Sequence, residues 1–340
     1  MPTWGELGTE LGHTLRADGQ PDYDKVRRKY LSALTARTGR STILYASEFT
    51  GNAAAAGSPG AVTINLGDKQ GLMEVMKDLP GPNLDLILHT PGGSPEALEG
   101  IVDYLRTRFD NMRAFVPLAA MSAGTMWALA CDEIVMGKHS QLGPIDPQLP
   151  LAFGEQIRLA PAQAVRDQFE LAKKQCQDPA NLPAWITVLR SYGPSLLQEC
   201  QQAQDMSVDL VSEWLAAYMF RGEPEPVERA KATAQKFADY TEHQSHGRAI
   251  NRDRAREYGA RVTDLENDQD LQDAVLSVHH AVMHTLAATP AVKLIENNLE
   301  RTFAVLAGAI QITPGEPPQG PTGQNKRPPP SPRKGAKKRR

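Results

Sequence analysis

Between positions 41 and 137, short apolar runs alternate with segments whose apolar residues recur every three or four positions. Ile43-Leu44-Tyr45-Ala46 and Val62-Thr63-Ile64-Asn65-Leu66 read as short strands, separated by a Gly/Ala/Ser stretch over 51–60. Leu84-Asp85-Leu86-Ile87-Leu88-His89 is nearly continuous in apolar character, as a strand covered on both faces would be. A helix follows it. Ser94 suits an N-cap, Pro95 the first helical position and Glu96 the positive end of the dipole, and Ala97, Leu98, Ile101, Val102, Leu105 and Phe109 recur at helical spacing. Positions 113–118 predict the next strand, 123–130 the next helix and 133–136 another strand. Such alternation with short joins predicts an α/β layer architecture with parallel pairing. From 161 to about 307 the pattern is mainly helical, over 162–176, 208–218 and 270–287. The first forty residues read as a polar, mostly helical lead-in.

Composition sharpens this picture in four places. A chain of 340 residues can bury a full core, and 41% hydrophobic with 23% charged residues is ordinary for a globular protein. Three scattered cysteines, Cys131, Cys176 and Cys200, fit a reduced, cytoplasmic setting better than a disulfide framework or a zinc cluster. The N-terminus is polar and mixed in charge, unlike a signal peptide. The apolar stretch over 114–137 is interrupted by Pro117, Ser122, Gly124, Asp132 and Glu133, so no membrane span is expected.

The formal charge of -3 conceals an asymmetry. Residues 313–340 are rich in Pro, Gly, Lys and Arg and nearly free of large apolar side chains, which predicts a disordered basic tail. Without it the body carries about -10, which argues against nucleic acid on the folded part; the tail reads mainly as solubilising, with nucleic acid, an acidic partner or the acidic body itself as alternative contacts. The expected organisation is therefore a lead-in over 1–40, one domain over 41–312 and the tail over 313–340.

Two loops at the carboxyl ends of expected strands carry candidate chemistry: Thr90-Pro91-Gly92-Gly93-Ser94 and Ala119-Ala120-Met121-Ser122-Ala123-Gly124-Thr125. A Gly-Gly pair before a helix leaves backbone N–H groups uncovered, as an anion or oxyanion site requires. Ser122 stands at a strand-to-helix turn among small residues, which resembles a nucleophile elbow without its usual sequence. Each loop alone is a weak signal. The two together, joined by an amphipathic helix, are far more specific.

These loops, with Ala130-Cys131-Asp132-Glu133-Ile134-Val135-Met136-Gly137, resemble the Clp protease/crotonase superfamily. More narrowly the chain is similar to its serine dehydrogenase proteinase branch, relatives of signal peptide peptidase A. His139-Ser140-Gln141-Leu142-Gly143-Pro144-Ile145-Asp146-Pro147-Gln148 and Ser245-His246-Gly247-Arg248 strengthen that likeness. The resemblance implies a ββα spiral with a mainly helical C-terminal half and a homo-oligomer acting on peptide or protein substrates. It also implies a nucleophile at Ser122, an oxyanion hole from the N–H groups of Gly93 and Ala123, and no metal or cofactor.

A serine needs a base. Near Ile145 and Asp146, where Clp-type peptidases carry their histidine, this chain has none. Peptidases of the signal peptide peptidase A type use a lysine further downstream, which points to Lys173 or Lys174. On a 162–176 helix Lys173 falls about 60° from the centre of the apolar stripe and Lys174 about 160° away. Lys173 is then the expected base, where desolvation would lower its pKa, and Lys174 pairs with Glu170. His246 lies in the closing segment and reads mainly as structural. His139 comes too early and sits in a loop. His280 and His284 share a helix face without a third metal ligand. Two other readings compete with a Ser122/Lys173 peptidase. One is crotonase-like acyl-CoA chemistry, which uses the same pair of N–H donors. The other is an inactive assembly scaffold of the same fold.

Overall fold

The computed structural model describes residues 2–51, 59–153 and 156–307. The basic tail lies outside them. Eleven strands follow in chain order: β1 (Ser41–Ser47), β2 (Asn83–His89), β3 (Asn111–Val116), β4 (Ala119–Ala120), β5 (Glu133–Met136), β6 (Gln141–Leu142), β7 (Gln148–Phe153), β8 (Gln156–Pro161), β9 (Val262–Asp264), β10 (Ala291–Asn297) and β11 (Thr302–Leu306). Seven of them form one sheet in the order β11-β10-β1-β2-β3-β5-β9. Pairing is parallel from β1 through β9 and antiparallel where β10 joins β1 and β11 joins β10. Strands β4 and β6 make a small parallel pair, and β7 and β8 a hairpin.

Alternation along the strands sorts side chains to two buried faces. Leu84, Leu86 and Leu88 of β2 join one core with the Pro95–Arg106 and Ala123–Leu129 helices and with Leu210, Val211 and Phe237 of the helices Leu196–Trp214 and Pro226–Ala238. Ile87 points the other way, with Leu44 and Phe115, into a core shared by the helices Tyr23–Thr38 and Gln269–Ala288. Ser94 caps its helix as its sequence implies, its Oγ accepting the Ala97 N–H at 3.0 Å.

Three expectations change. The first forty residues are not a mere lead-in: Leu31 and Leu34 are fully buried in the second core. Arg27 is also buried there, because the Glu296 carboxylate of β10 takes up its charge. The expected strand over 62–66 is absent. The Pro59–Val62 stretch is helical, and only Ile64 makes a bridge, to Gly93. Asn65 turns the chain here, its Oδ1 accepting the Gly67 N–H at 2.9 Å ahead of the Asp68–Val75 helix. Finally, the mainly helical C-terminal half also returns three strands, β9, β10 and β11, to the sheet. Strand β10 carries Lys293 into the interior, where Asp68 Oδ1 accepts from its Nζ at 2.7 Å and the Thr63 carbonyl at 2.8 Å. Tyr45 Oη donates to the other oxygen of Asp68 at 2.7 Å, which completes a satisfied buried network.

Candidate functional site

The carboxyl ends of β2 and β3 approach each other through short backbone bridges. The Thr90 N–H donates to the Ala119 carbonyl at 3.1 Å, and the Met121 N–H to the Thr90 carbonyl at 3.0 Å. Directly after, the Gly124 N–H closes a turn on the Met121 carbonyl at 2.7 Å. Ser122 is the first central residue of that turn, with φ 52° and ψ -120°. Those angles belong to a type II′ turn, whose first central position usually takes glycine. Holding a serine there costs on the order of 1–3 kcal/mol, a kind of strain that gathers at functional sites. The turn lifts the hydroxyl clear of the helix that starts at Ala123. Among the described residues Ser122 Oγ has no hydrogen-bond partner.

The Gly-Gly loop faces this turn. Ile64 bridges it by donating its N–H to the Gly92 carbonyl at 2.7 Å and accepting the Ser94 N–H at 2.9 Å. The N–H of Gly93, between those two peptide groups, is directed away from Ile64. Gly93 lines the same cavity as Ser122. The Ala123 N–H opens its helix and has no acceptor within it. Neither N–H is used by another group among the described residues. The close approach demands glycine: at Gly92, with φ 98°, a Cβ would lie 2.6 Å from the Met121 carbonyl oxygen and 2.9 Å from Ala123 N. Gly92→Ala should therefore displace the serine turn and lower any Ser122-dependent turnover by about 100-fold, since displacements near 1 Å cost that much. Steady-state kinetics on the folded variant check it, and unchanged kcat would contradict it.

The cavity beside Ser122 measures ≈ 520 Å³. Met126, Ile145 and Leu149 give it apolar walls, closed further by Leu159 of the hairpin and Met206 of the Leu196–Trp214 helix. Its polar lining, which also includes Thr63, Glu96, Gln148 and Ser207, brings Asp146 and His246 to the same cavity as the serine. Although 100 positions apart, they meet: His246 Nδ1 lies 2.9 Å from Asp146 Oδ1. Asp146 is 2% exposed, and Gln148 Nε2 donates to its other oxygen at 3.2 Å. A carboxylate only accepts, so Nδ1 carries a proton and Nε2 is the ring nitrogen left free of this contact.

Backbone ties fix both partners. The Gly143 N–H donates to Thr125 Oγ1 at 2.8 Å, and Thr125 Oγ1 donates to the Ala120 carbonyl at 2.7 Å. Leu142 and Ile250 exchange both of their N–H···O bonds at 2.9 Å, anchoring the loop that carries His246 to the strand before Asp146.

Lys173 stands elsewhere. Its expected place bordering the buried face is not where the structure puts it: it is exposed, and its Nζ donates to both Glu170 oxygens at 2.9 and 2.8 Å. Burial in the Ala162–Gln175 helix is confined to Ala162, Val165 and Ala172, a stripe too narrow to draw in the neighbouring lysine. Lys173 does not line the Ser122 cavity. It is Lys173 rather than Lys174 that pairs with Glu170. His280 and His284 hold the N-terminal segment, donating from Nδ1 and Nε2 to the Pro2 and Trp4 carbonyls. Among the described residues no group of three or more His, Cys, Asp or Glu is arranged to hold a metal, and no helix is long and apolar enough to cross a membrane. The sequence held both halves of the Asp146–His246 pair in the two segments already singled out. Nothing local revealed that they meet.

Comparison with known proteins bears on the part of this site that holds Gly93, Ser122, Ala123 and Asp146, and not on His246. Positions 51–167 match a family described as a ClpP-like SDH-type serine proteinase. Two uncharacterised proteins of Methanocaldococcus jannaschii are similar: MJ0137, 39% identical over 27% of this chain and 33% of its own length, and MJ1495, 44% identical over 22% and 24%. The chain thus spans a third or less of the length of these relatives. Among solved structures, a point mutant of the 1510-N membrane-bound stomatin-specific protease aligns at a TM-score of 0.34 and 16% identity, over 59% of this chain and 75% of that one.

Proposed function

We propose, from the match of residues 51–167 to the ClpP-like SDH-type serine proteinase family, that this chain is a serine peptidase working through Ser122, His246 and Asp146. The observation that carries the proposal is the buried Asp146 carboxylate holding the His246 ring in the cavity that Ser122 lines. In the proposed reaction His246 Nε2 takes the proton of Ser122 Oγ as that oxygen bonds to the scissile carbonyl carbon. The carbonyl oxygen becomes an oxyanion and accepts from the N–H groups of Gly93 and Ala123. The protonated imidazole, stabilised by Asp146, then gives its proton to the departing amine. Water repeats the sequence on the acyl-enzyme and frees Ser122.

The apolar walls suit the side chain of a peptide substrate, and the open side of the cavity admits an extended chain. A cytoplasmic homo-oligomer is part of the same proposal. Exposed Ile157 and Leu159 on β8 and Ile186 on the Leu182–Leu189 helix are apolar surface that such an assembly would cover. The test is hydrolytic. Purified chain should cleave an unstructured protein such as casein and leave acyl-CoA thioesters untouched. Turnover of the thioester with intact casein would overturn the peptidase assignment in favour of crotonase-like chemistry.

A further inference from the structure

A second cavity, of ≈ 540 Å³, opens at the carboxyl ends of β1 and β3, on the sheet face opposite Ser122. Ligands in open α/β sheets bind at such ends. Most of its wall is apolar: Trp4, Leu276 and Met283 from the flanking helices, and Leu118 just beyond β3. Into this surface project Glu48, one residue after β1, and His279 of the Gln269–Ala288 helix.

Glu48 is 5% exposed. Among the described residues its carboxylate accepts one hydrogen bond, from the Gly51 N–H to Oε1 at 2.7 Å, and has no cationic partner. The following positions 52–58, Asn-Ala-Ala-Ala-Ala-Gly-Ser, contain no cation. A buried carboxylate so weakly compensated is costly unless something positive joins it. The buried imidazoles of His279 and His89 do not supply the charge. His279 is 7% exposed with Nδ1 buried and unpartnered, and burial together with the neighbouring His89, His280 and His139 holds its pKa well below the usual range. His89, whose ring centroid lies 5.1 Å from that of His279, is pushed down to about 4 by burial, the Ala119 carbonyl opposing only weakly. The site therefore presents the Glu48 carboxylate and the His279 imidazole, with Thr50, His139 and His280 beside them, on a mainly apolar wall.

We propose that this cavity binds a small organic cation, a primary amine on an apolar or aromatic body, with the ammonium on Glu48 and hydrogen-bonded to His279. An anion would meet the uncompensated carboxylate, and a neutral apolar molecule would leave it unpaired. The proposal is independent of the peptidase activity, because it is read by binding. The probe is 2-phenylethylamine, added to the full chain at millimolar concentration and followed by calorimetry and thermal unfolding. Saturable binding with a raised Tm is expected, and no shift with the size-matched 3-phenylpropionate. Glu48→Gln, which keeps the shape, should weaken amine binding by about tenfold or more. Met283→Trp, which fills the cavity without touching the carboxylate, should abolish it. No saturable binding of the amine, an equal effect of the carboxylate, or full affinity in Glu48→Gln would each overturn the proposal.

Discussion

Ser122→Ala is expected to lower peptide hydrolysis by about 10⁶-fold, the scale of loss when a triad nucleophile is removed. The change deletes one oxygen that has no hydrogen-bond partner among the described residues, so no internal bond is broken. Alanine keeps a Cβ at φ 52°, so the strain of the turn is retained and the Met121–Gly124 hydrogen bond still forms. The unfolding midpoint should stay within about 0.5 kcal/mol of wild type, as for a substitution away from any packing or bonding feature. Loss of activity with an unchanged denaturation curve is the diagnostic pair. Activity within tenfold of wild type would remove Ser122 from the mechanism.

The second large effect concerns the base. His246→Ala should cost nearly as much as losing the serine, because the members of such a unit act together. Asp146→Asn is expected to lower kcat by about 10⁴-fold. The amide would present a donor or a weaker acceptor to Nδ1, and the ring would settle with its proton on the wrong nitrogen. Lys173→Ala should change turnover by less than about twofold, since it deletes only an exposed pair with Glu170, worth a fraction of a kcal/mol. Steady-state kinetics of the three variants on one peptide order the candidates. Near-normal activity in His246→Ala, with loss in Lys173→Ala, would reverse the assignment.

Local patterns made the parallel half of the fold legible. The Ser94-Pro95 start, the β2 run and the Glu133–Met136 strand each follow from propensity, capping and period, and all three stand where those rules put them. Strand β10 was hidden because Lys293, Glu296 and Asn297 break its apolar run. Their burial depends on Asp68, Arg27 and the Val75 carbonyl, which are remote in sequence. The segment over 62–66 misled in the opposite direction: its β-branched alternation is real, but Asn65 commits its side chain to a turn.

The site divides the same way. Ser122, Gly93 and Ala123 fall in two short loops with a recognisable grammar, and the fold brings those loops together. The nitrogen that accompanies them comes from a loop with no secondary structure to announce it, and its pairing with Asp146 is purely tertiary. Helical geometry placed Lys173 near the edge of a buried stripe, but the helix packs only along Ala162, Val165 and Ala172.

Active-site labelling with a fluorophosphonate, followed by peptide mapping, tests the central claim most directly, because the reagent needs an activated serine and no known substrate. The label should fall on the peptide that carries Ser122 in wild type and in Lys173→Ala at similar rates. It should vanish in Ser122→Ala and slow by orders of magnitude in His246→Ala. A label on another residue, persistence in Ser122→Ala, or a wild-type rate in His246→Ala would contradict a Ser122–His246–Asp146 peptidase.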